Sequence, residues 1–285
     1  MSDYSQAQDG LRARLGGVWT QEKLAYLRKY TQAFMVAMSP KRAEGKWELL
    51  VFIDPLCGPG IDVDRRSATE FPGSPSIALA TSPTFDRLYL GDNDAENVAA
   101  LRARIPSDAQ ARVSLEVADC HARVEDVVNG MGRRTLGLAF VDPEGFEVHF
   151  RLFQTLSTRP VDIVFLFPSG IGIVRNLASF VRSTHCGLDD LWGGQEWRRL
   201  PMAQMAAGAT PTPASPTDAY YQSWAAAFCQ RVATLGYQFD IQGPLCNEQN
   251  VPMYHLLFFS KDAAGLTIWR NVHQIDPRGQ RQLRF

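Results

Sequence analysis

The sequence predicts an α/β fold, a mostly parallel sheet whose strands alternate with helices and which ends in an antiparallel hairpin. Three observations lead there. The run L-L-V-F-I at Leu49 to Ile53 is apolar without interruption, which suits a strand covered on both faces. Further strand patterns follow at Phe85 to Leu90, Val113 to Val117, Leu136 to Val141 and Val161 to Phe167, separated by helical patterns. Four of the five lead into an acid, at Asp54, Asp92, Asp119 and Asp142. A row of acids at strand ends reads as a pocket at the carboxyl edge of a parallel sheet, where open α/β folds bind ligands.

Composition narrows the class. Of 285 residues, 45% are hydrophobic and 21% charged, which is enough to bury a substantial core. A formal net charge of -1 gives no general attraction to nucleic acid, so such binding would need a local patch. Cys57, Cys120, Cys186, Cys229 and Cys246 are scattered, with no C-x-x-C pair. That argues against a zinc site or a disulfide framework, and for reduced thiols in the cytoplasm. The polar N-terminus M-S-D-Y-S-Q-A-Q-D-G lacks the apolar core of a secretory signal, and no apolar run is long enough to cross a bilayer. No metal and no membrane are expected.

Residues 1–46 are expected to be a helical extension, and 47–285 the α/β domain with a loop-rich insertion near 186–216. Within the extension, Leu24, Leu27, Phe34 and Met38 fall at helical spacing between Thr20 and Met38, and Thr20 offers a capping hydroxyl. Lys23, Arg28, Lys29, Lys41, Arg42 and Lys46 make this the most basic region. It reads either as a solvated helix face or as a nucleic-acid contact surface in which Lys23 takes part.

The first strand ends at Asp54, and Gly58 and Gly60 follow in P-L-C-G-P-G. Glycines there let the backbone turn tightly and approach a ligand. The polar stretch Ile61 to Ser74 separates this loop from the next helix, as a lid or substrate-gripping element. Ser74 and Pro75 suit the helix start. Asp92 ends the second strand, where a carboxylate accepts hydrogen bonds from ribose hydroxyls, and Asn93 or Asp94 suits a helix cap. Asp119, in A-D-C-H after the third strand, stands where a carboxylate meets an adenine amine. His121 reads as a loop or helix-start residue rather than a ligand.

The fourth strand runs into D-P-E-G-F at Asp142 to Phe146, and the fifth into P-S-G-I-G-I-V-R-N at Pro168 to Asn176. A buried acid such as Asp142 needs partners, which suggests a purpose. Arg175 and Asn176 either hold substrate or cap a helix. Trp192, Trp197, Arg198 and Arg199 form either a recognition surface or a buried cluster under a loop, and A-A-G-A-T-P-T-P-A-S-P reads as a connector. A helix over Ala219 to Leu235 follows, and then strands at Pro252 to Ser260 and Gly265 to Trp269, joined by K-D-A-A-G as the hairpin. The tail R-G-Q-R-Q-L-R-F reads as solvated.

The order of features fits S-adenosylmethionine better than NAD. A nicotinamide fingerprint has G-x-G-x-x-G opening a helix and its ribose acid about 20 residues on; here Asp92 follows much later. Five alternating strands and a terminal hairpin also fit the mixed seven-stranded sheet of class I methyltransferases.

F-I-D-P-L-C-G-P-G, the G-S-P at Gly73 to Pro75, D-N-D-A-E-N-V-A-A-L, A-D-C, F-V-D-P-E-G-F and F-P-S-G-I-G-I-V-R-N resemble the three-Cys-motif partner (TcmP) family. That is a bacterial group similar to class I methyltransferases and named for a neighbouring radical-SAM-like protein. The resemblance covers about Lys23 to Asn176. It implies that Gly58 and Gly60 face the methionine part of S-adenosylmethionine, Asp92 the ribose and Asp119 the adenine amine. Asp142 and Pro143 would face the acceptor. Amino-methyltransferases of bases typically carry an Asp or Asn, two prolines and an aromatic at that point. Here Glu144 and Gly145 intervene, which leaves Glu144 as a proton acceptor and Phe146 as the stacking ring. Two functions are expected: a methyltransferase acting on nucleic acid, or a noncatalytic Rossmann-like protein that binds a protein partner around Trp192 and Trp197.

Overall fold

The apolar runs align in one sheet because each has side chains to bury on both faces. In β3 (Leu49–Asp54, numbering strands along the chain after β1 Tyr4–Gln6 and β2 Arg12–Gly16), Leu50 and Phe52 enter one core while Val51 and Ile53 enter the other. The computed structural model describes residues 4–208 and 217–273. Residues 209–216 of the expected connector, and the tail Arg278 to Phe285, lie outside the described residues.

The remaining strands are β4 (Ile61–Asp64), β5 (Glu70–Pro72), β6 (Arg87–Asp92), β7 (Val113–Val117), β8 (Thr135–Val141), β9 (Val161–Phe167), β10 (Gln238–Cys246) and β11 (Pro252–Ser260). Seven form the main sheet in the order β7-β6-β3-β8-β9-β11-β10, and β11 runs antiparallel to both neighbours. Counted within this sheet alone, the order is 3-2-1-4-5-7-6. Its architecture is the Rossmann-like, mixed seven-stranded one the sequence predicts.

Helices cover both faces. On one, α1 (Val18–Ala43) lays Leu24, Leu27, Tyr30, Phe34 and Met38 across Phe52, Leu138 and Val164, beside α2 (Ser74–Ala80). On the other, α4 (Cys120–Gly130) and α5 (Phe150–Leu156) bury Val124, Val127 and Phe153 against Ile53, Ala139 and Phe165. Between α2 and α4 in the chain, α3 (Ala95–Arg104) leads from β6 towards β7. After β9 the chain forms α6 (Arg175–Phe180), α7 (Gly187–Trp192), α8 (Pro201–Ala206) and α9 (Asp218–Ala233), and it closes with α10 (Ala263–His273). No helix among the described residues is long and apolar enough to cross a membrane.

Several expectations are corrected. The hairpin pairs β10 with β11, and G-L-T-I-W lies in α10. Its alternation imitates a strand, but Leu266 and Trp269, three apart, are the buried residues, and Trp269 stacks on Phe258 with ring centroids 4.5 Å apart. β10 escapes sequence reading because Gly243 and Pro244 interrupt its pattern, at the place where the register shifts between Gln242 and Leu245. Helix α1 starts two residues before Thr20, with Gly17 at its cap, and Ser74 is the first residue of α2 rather than its cap.

The first 46 residues contain two strands besides the helix. β1 and β2 join β4 and β5, from the polar stretch after the glycine loop, in a small sheet of order β1-β2-β4-β5. In the stretch expected as loop-rich, Trp192 and Trp197 are 3% and 0% exposed, and the Trp197 indole N–H donates to Asp189 at 2.7 Å. They are core residues and form no recognition surface.

Candidate functional site

The carboxyl ends of β3, β6 and β8 build one cavity of about 350 Å³, whose lining includes Tyr4, Arg14, Gly58, Asp92, Asp142 and Glu144. Asp54, at the end of β3, stands behind this lining, fully buried. It accepts from the Leu56 N–H at 3.3 Å and bonds to the Ser74 hydroxyl, while Oδ2 is buried with no hydrogen bond. Burial pushes its carboxyl up to about 7, against those two bonds and with support from the charges of Asp142 and Asp92.

The glycine loop needs its glycines. Gly58 and Gly60 have φ of +60° and +88°, in the left-handed region, and a Cβ on Gly60 would stand 2.8 Å from Leu101 Cδ1. The Gly58 N–H donates to Asp92 Oδ2 at 2.9 Å. Asp92 Oδ1 accepts from the Asp94 N–H at 2.9 Å and from the Asn97 side chain at 3.2 Å. One carboxylate therefore fixes the loop to the end of β6. Asp94 has the simpler role of capping α3 through the Glu96 N–H at 2.8 Å, and it pairs with Arg12 at 2.9 Å.

At the β8 end, Asp142 lies in a buried ionic cluster. The Lys23 ammonium donates to its Oδ2, and the Arg14 guanidinium is 3.8 Å from the same oxygen and 3.2 Å from Glu144. Asp142 Oδ1 is buried and has no hydrogen bond. Burial lowers the ammonium pKa of Lys23, and the charge of Asp142 opposes that; the neighbouring Asp62 carboxyl is pushed up to about 6 by burial. Lys23, expected on a basic contact surface, is 1% exposed. Lys41 is 18 residues further along α1, about 27 Å at 1.5 Å per residue. With Lys46 just beyond the helix, the basic end of this region is thus remote from the cavity.

Gly58, Asp92, Asp142 and Glu144 share the cavity, while Gly60 and Lys23 line an adjoining recess. Pro143 is buried and is not among the lining of either. Asp119 caps α4 at the next strand end, with its side chain 62% exposed. Phe146 packs edge-to-face on Phe180, centroids 5.3 Å apart, and presses on Gly187, where a Cβ would meet it at 2.5 Å. Its ring belongs to the packing of the β9-to-α7 region and is not among the cavity lining. Arg175 and Asn176 are exposed and also outside the lining; the Asn176 amide donates to the Gly172 carbonyl at 2.7 Å.

Sequence reasoning missed Tyr4 and Arg14. The Arg12 guanidinium lies 3.6 Å over the Tyr4 ring, whose hydroxyl accepts from Asn97 at 3.0 Å. The alternation in R-A-R-L-G, which puts Arg12 and Arg14 on one face of a strand, was the signal available.

No protein-family model matches the chain, and no curated protein is similar to it in sequence. Among solved structures, a Legionella pneumophila protein of the DUF519 family aligns at 12% identity and TM-score 0.50, over 90% of this chain and 93% of its own. The methyltransferase domain of a bacterial Hen1 aligns at 12% identity and TM-score 0.36, over 81% and 99% of the two chains. Magnesium protoporphyrin IX methyltransferase (ChlM) from Synechocystis, solved with bound SAH, aligns at 10% identity and TM-score 0.36, over 81% and 83%. These are likenesses of fold. The sheet order, with the Legionella alignment, gives the Rossmann-like α/β fold with a mixed seven-stranded sheet that the sequence predicts.

Proposed function

We propose that this protein is an S-adenosylmethionine-dependent methyltransferase acting on nucleic acid. The observation that carries this reading is a single cavity lined by the glycine loop at Gly58, the β6-end acid Asp92 and the β8-end acid Asp142. Its volume, about 350 Å³, lies in the usual range for ligand sites. Asp92, Asp94, Asp142, Glu144 and Glu147 outnumber Arg14 in the lining, which favours a cationic ligand such as a sulfonium. The left-handed Gly58 has open space where a Cβ would stand, and Asp54 keeps a buried oxygen without a partner behind the loop. These residues fit the cofactor, which when bound supplies an electrophilic methyl group.

On the acceptor side, Lys23 and Arg14 both face Asp142 Oδ2, and Oδ1, which has no hydrogen bond, is the oxygen left to accept an N–H of the acceptor. An amine held this way keeps its lone pair for the methyl group, and most of the rate then comes from positioning. Glu144, with a 42% exposed side chain, is the proton acceptor in this reading. With Phe146 packed elsewhere and the basic end of α1 remote, cations for a phosphate backbone come from exposed Arg65, Arg66 and Arg175. The sequence resemblance to TcmP proteins supports that membership, a bacterial cytoplasmic setting and a radical-SAM-like partner protein.

Calorimetric titration with S-adenosylmethionine tests the cofactor. Wild type is expected to bind, and Asp92→Ala to bind at least tenfold more weakly, since it removes both the loop anchor and the ribose acceptor. Tritiated methyl transfer to RNA, DNA and protein then tests the acceptor. Labelled nucleic acid, with binding that weakens as salt rises, is the expected result. Cofactor binding without transfer to any of them would favour the second reading, a noncatalytic partner protein, for which the Glu144 and Gly145 departure is the motivating feature.

A further inference from the structure

The turn after β7 holds an imidazole whose two nitrogens are both committed. His121 Nε2 lies 2.9 Å from the backbone nitrogen of His149, and an N–H can only donate, so Nε2 is the unprotonated acceptor. The proton of the neutral ring is therefore on Nδ1, which faces Asp119 Oδ1 at 3.2 Å. Burial lowers the pKa of His121, with Arg151 and His149 acting in the same direction and Asp119 against, so the ring is neutral near pH 7. Asp119, Cys120 and His121 lie close enough to suggest a metal site. A protonated Nδ1, and a Cys120 thiol pushed up to about 12 by burial, speak against one.

The two partners of this ring come from different strand ends, Asp119 after β7 and His149 from the loop after β8; neither lines the cavity itself, which that loop reaches through Asp142, Glu144 and Glu147. The contacts of Asp119 from the His121 N–H (2.9 Å), the Ala122 N–H (3.2 Å) and the imidazole all converge on Oδ1, which leaves Oδ2 on the exposed side. His149 ends the loop that starts at Asp142. Within that loop, Glu147 accepts from the backbone N–H groups of Glu144 (2.5 Å) and Gly145 (2.8 Å), which ties its middle together.

We propose that His121 is a positioning residue which, through its Nδ1–H and Nε2, ties the adenine-side carboxylate Asp119 to the acceptor loop 142–149. This rests on the methyltransferase reading, and it adds a device by which the two halves of the site are set together. The functional consequence is that one ring fixes both the direction of Asp119 Oδ2 and the height of the loop that carries Asp142.

The two bonds can be separated by substitution. In His121→Asn the amide nitrogen replaces Nδ1–H but nothing reaches the His149 N–H; in His121→Gln the amide oxygen replaces Nε2 and the bond to Asp119 is lost. The readouts are S-adenosylhomocysteine affinity by calorimetry and amide hydrogen exchange of residues 142–149, both on the full chain. His121→Asn is expected to bind within about twofold of wild type and to exchange faster in the loop. His121→Gln is expected to keep wild-type loop exchange and to bind roughly tenfold more weakly, the effect of one hydrogen bond to a charged group. Two variants that behave alike in both readouts, or that only lower the melting temperature, overturn the inference. Failure of wild type to bind S-adenosylhomocysteine is a different outcome, which overturns the methyltransferase reading and with it the adenine half of this inference.

Discussion

Lys23 shows how the site depends on single charges. Its ammonium is buried against Asp142, and a buried pair that loses one member leaves the other as an uncompensated charge. Lys23→Met should therefore cost about 3 kcal/mol in urea denaturation, at the low end for such pairs because Arg14 remains 3.8 Å from Asp142. Adding Asp142→Asn should recover most of that loss, and a double variant as unstable as the single one would mean that the pair is not what holds this region. Asp92, Gly58 and Asp142 were legible in the sequence because each follows a local rule, an acid or a glycine after an apolar strand. Arg14 and Tyr4 were not, because they reach the cavity through the pairing of β2 with β4, from Arg14 opposite Asp62 to Gly16 opposite Asp64. No local pattern specifies a pairing across that distance in the chain. The same limit explains Lys23, which looks solvated beside other lysines until the fold brings Asp142 over it.

Among the elements, the glycine loop is the one most sensitive to change. At Gly60 a left-handed backbone and a close contact act together, since φ is +88° and the missing Cβ position is 2.8 Å from Leu101. Gly60→Ala should destabilise the protein by about 1–3 kcal/mol, from left-handed strain and overpacking. It should also weaken S-adenosylmethionine binding, because either the Leu101 side chain or the loop must shift to admit the Cβ. At Gly58 only the φ of +60° resists a side chain, as there is open space at its Cβ position, so Gly58→Ala should cost about 1–2 kcal/mol, mostly strain. Thermal denaturation and titration of both variants distinguish the two cases, and a Gly58→Ala variant less stable than Gly60→Ala would contradict the contact argument. The strands were easier to read than the hairpin for a related reason. β8 and β9 are mostly apolar and largely buried, whereas the hairpin depends on β10, whose mixture of polar residues, glycine and proline reflects an edge strand with a register shift.

For the molecule as a whole, the buried titratable groups on and around the sheet act against one another as pH changes. Burial raises the carboxyls of Asp54 to about 7, and of Asp62 and Asp162 to about 6, the last despite bonds from Ser260 and Tyr30. A carboxyl raised in the folded state takes up its proton there first. Its contribution to stability is present at low pH and is lost as pH rises through the folded value. Burial lowers the His255 imidazole to about 4, and His121 in the same direction, so the unfolded chain takes up those protons first and stability falls as pH drops below about 6.5. Between pH 4 and pH 7 the two sets oppose each other, so the histidines offset part of the pH dependence that the carboxyls alone would give. Asp54→Asn removes the largest member of the carboxyl set and leaves Asp62 and Asp162 in place. With Asp54 at about 7 against an ordinary 3.8, the difference is roughly 3 units, or about 4 kcal/mol at 1.36 kcal/mol per unit. The stability gap between variant and wild type should move by that amount between pH 4 and pH 8, in favour of the variant at the alkaline end. A gap that stays constant with pH would show that Asp54 is already ionised near neutrality, as a carboxylate bonded by Ser74 and the Leu56 N–H, and the balance would then lack its largest carboxyl contribution.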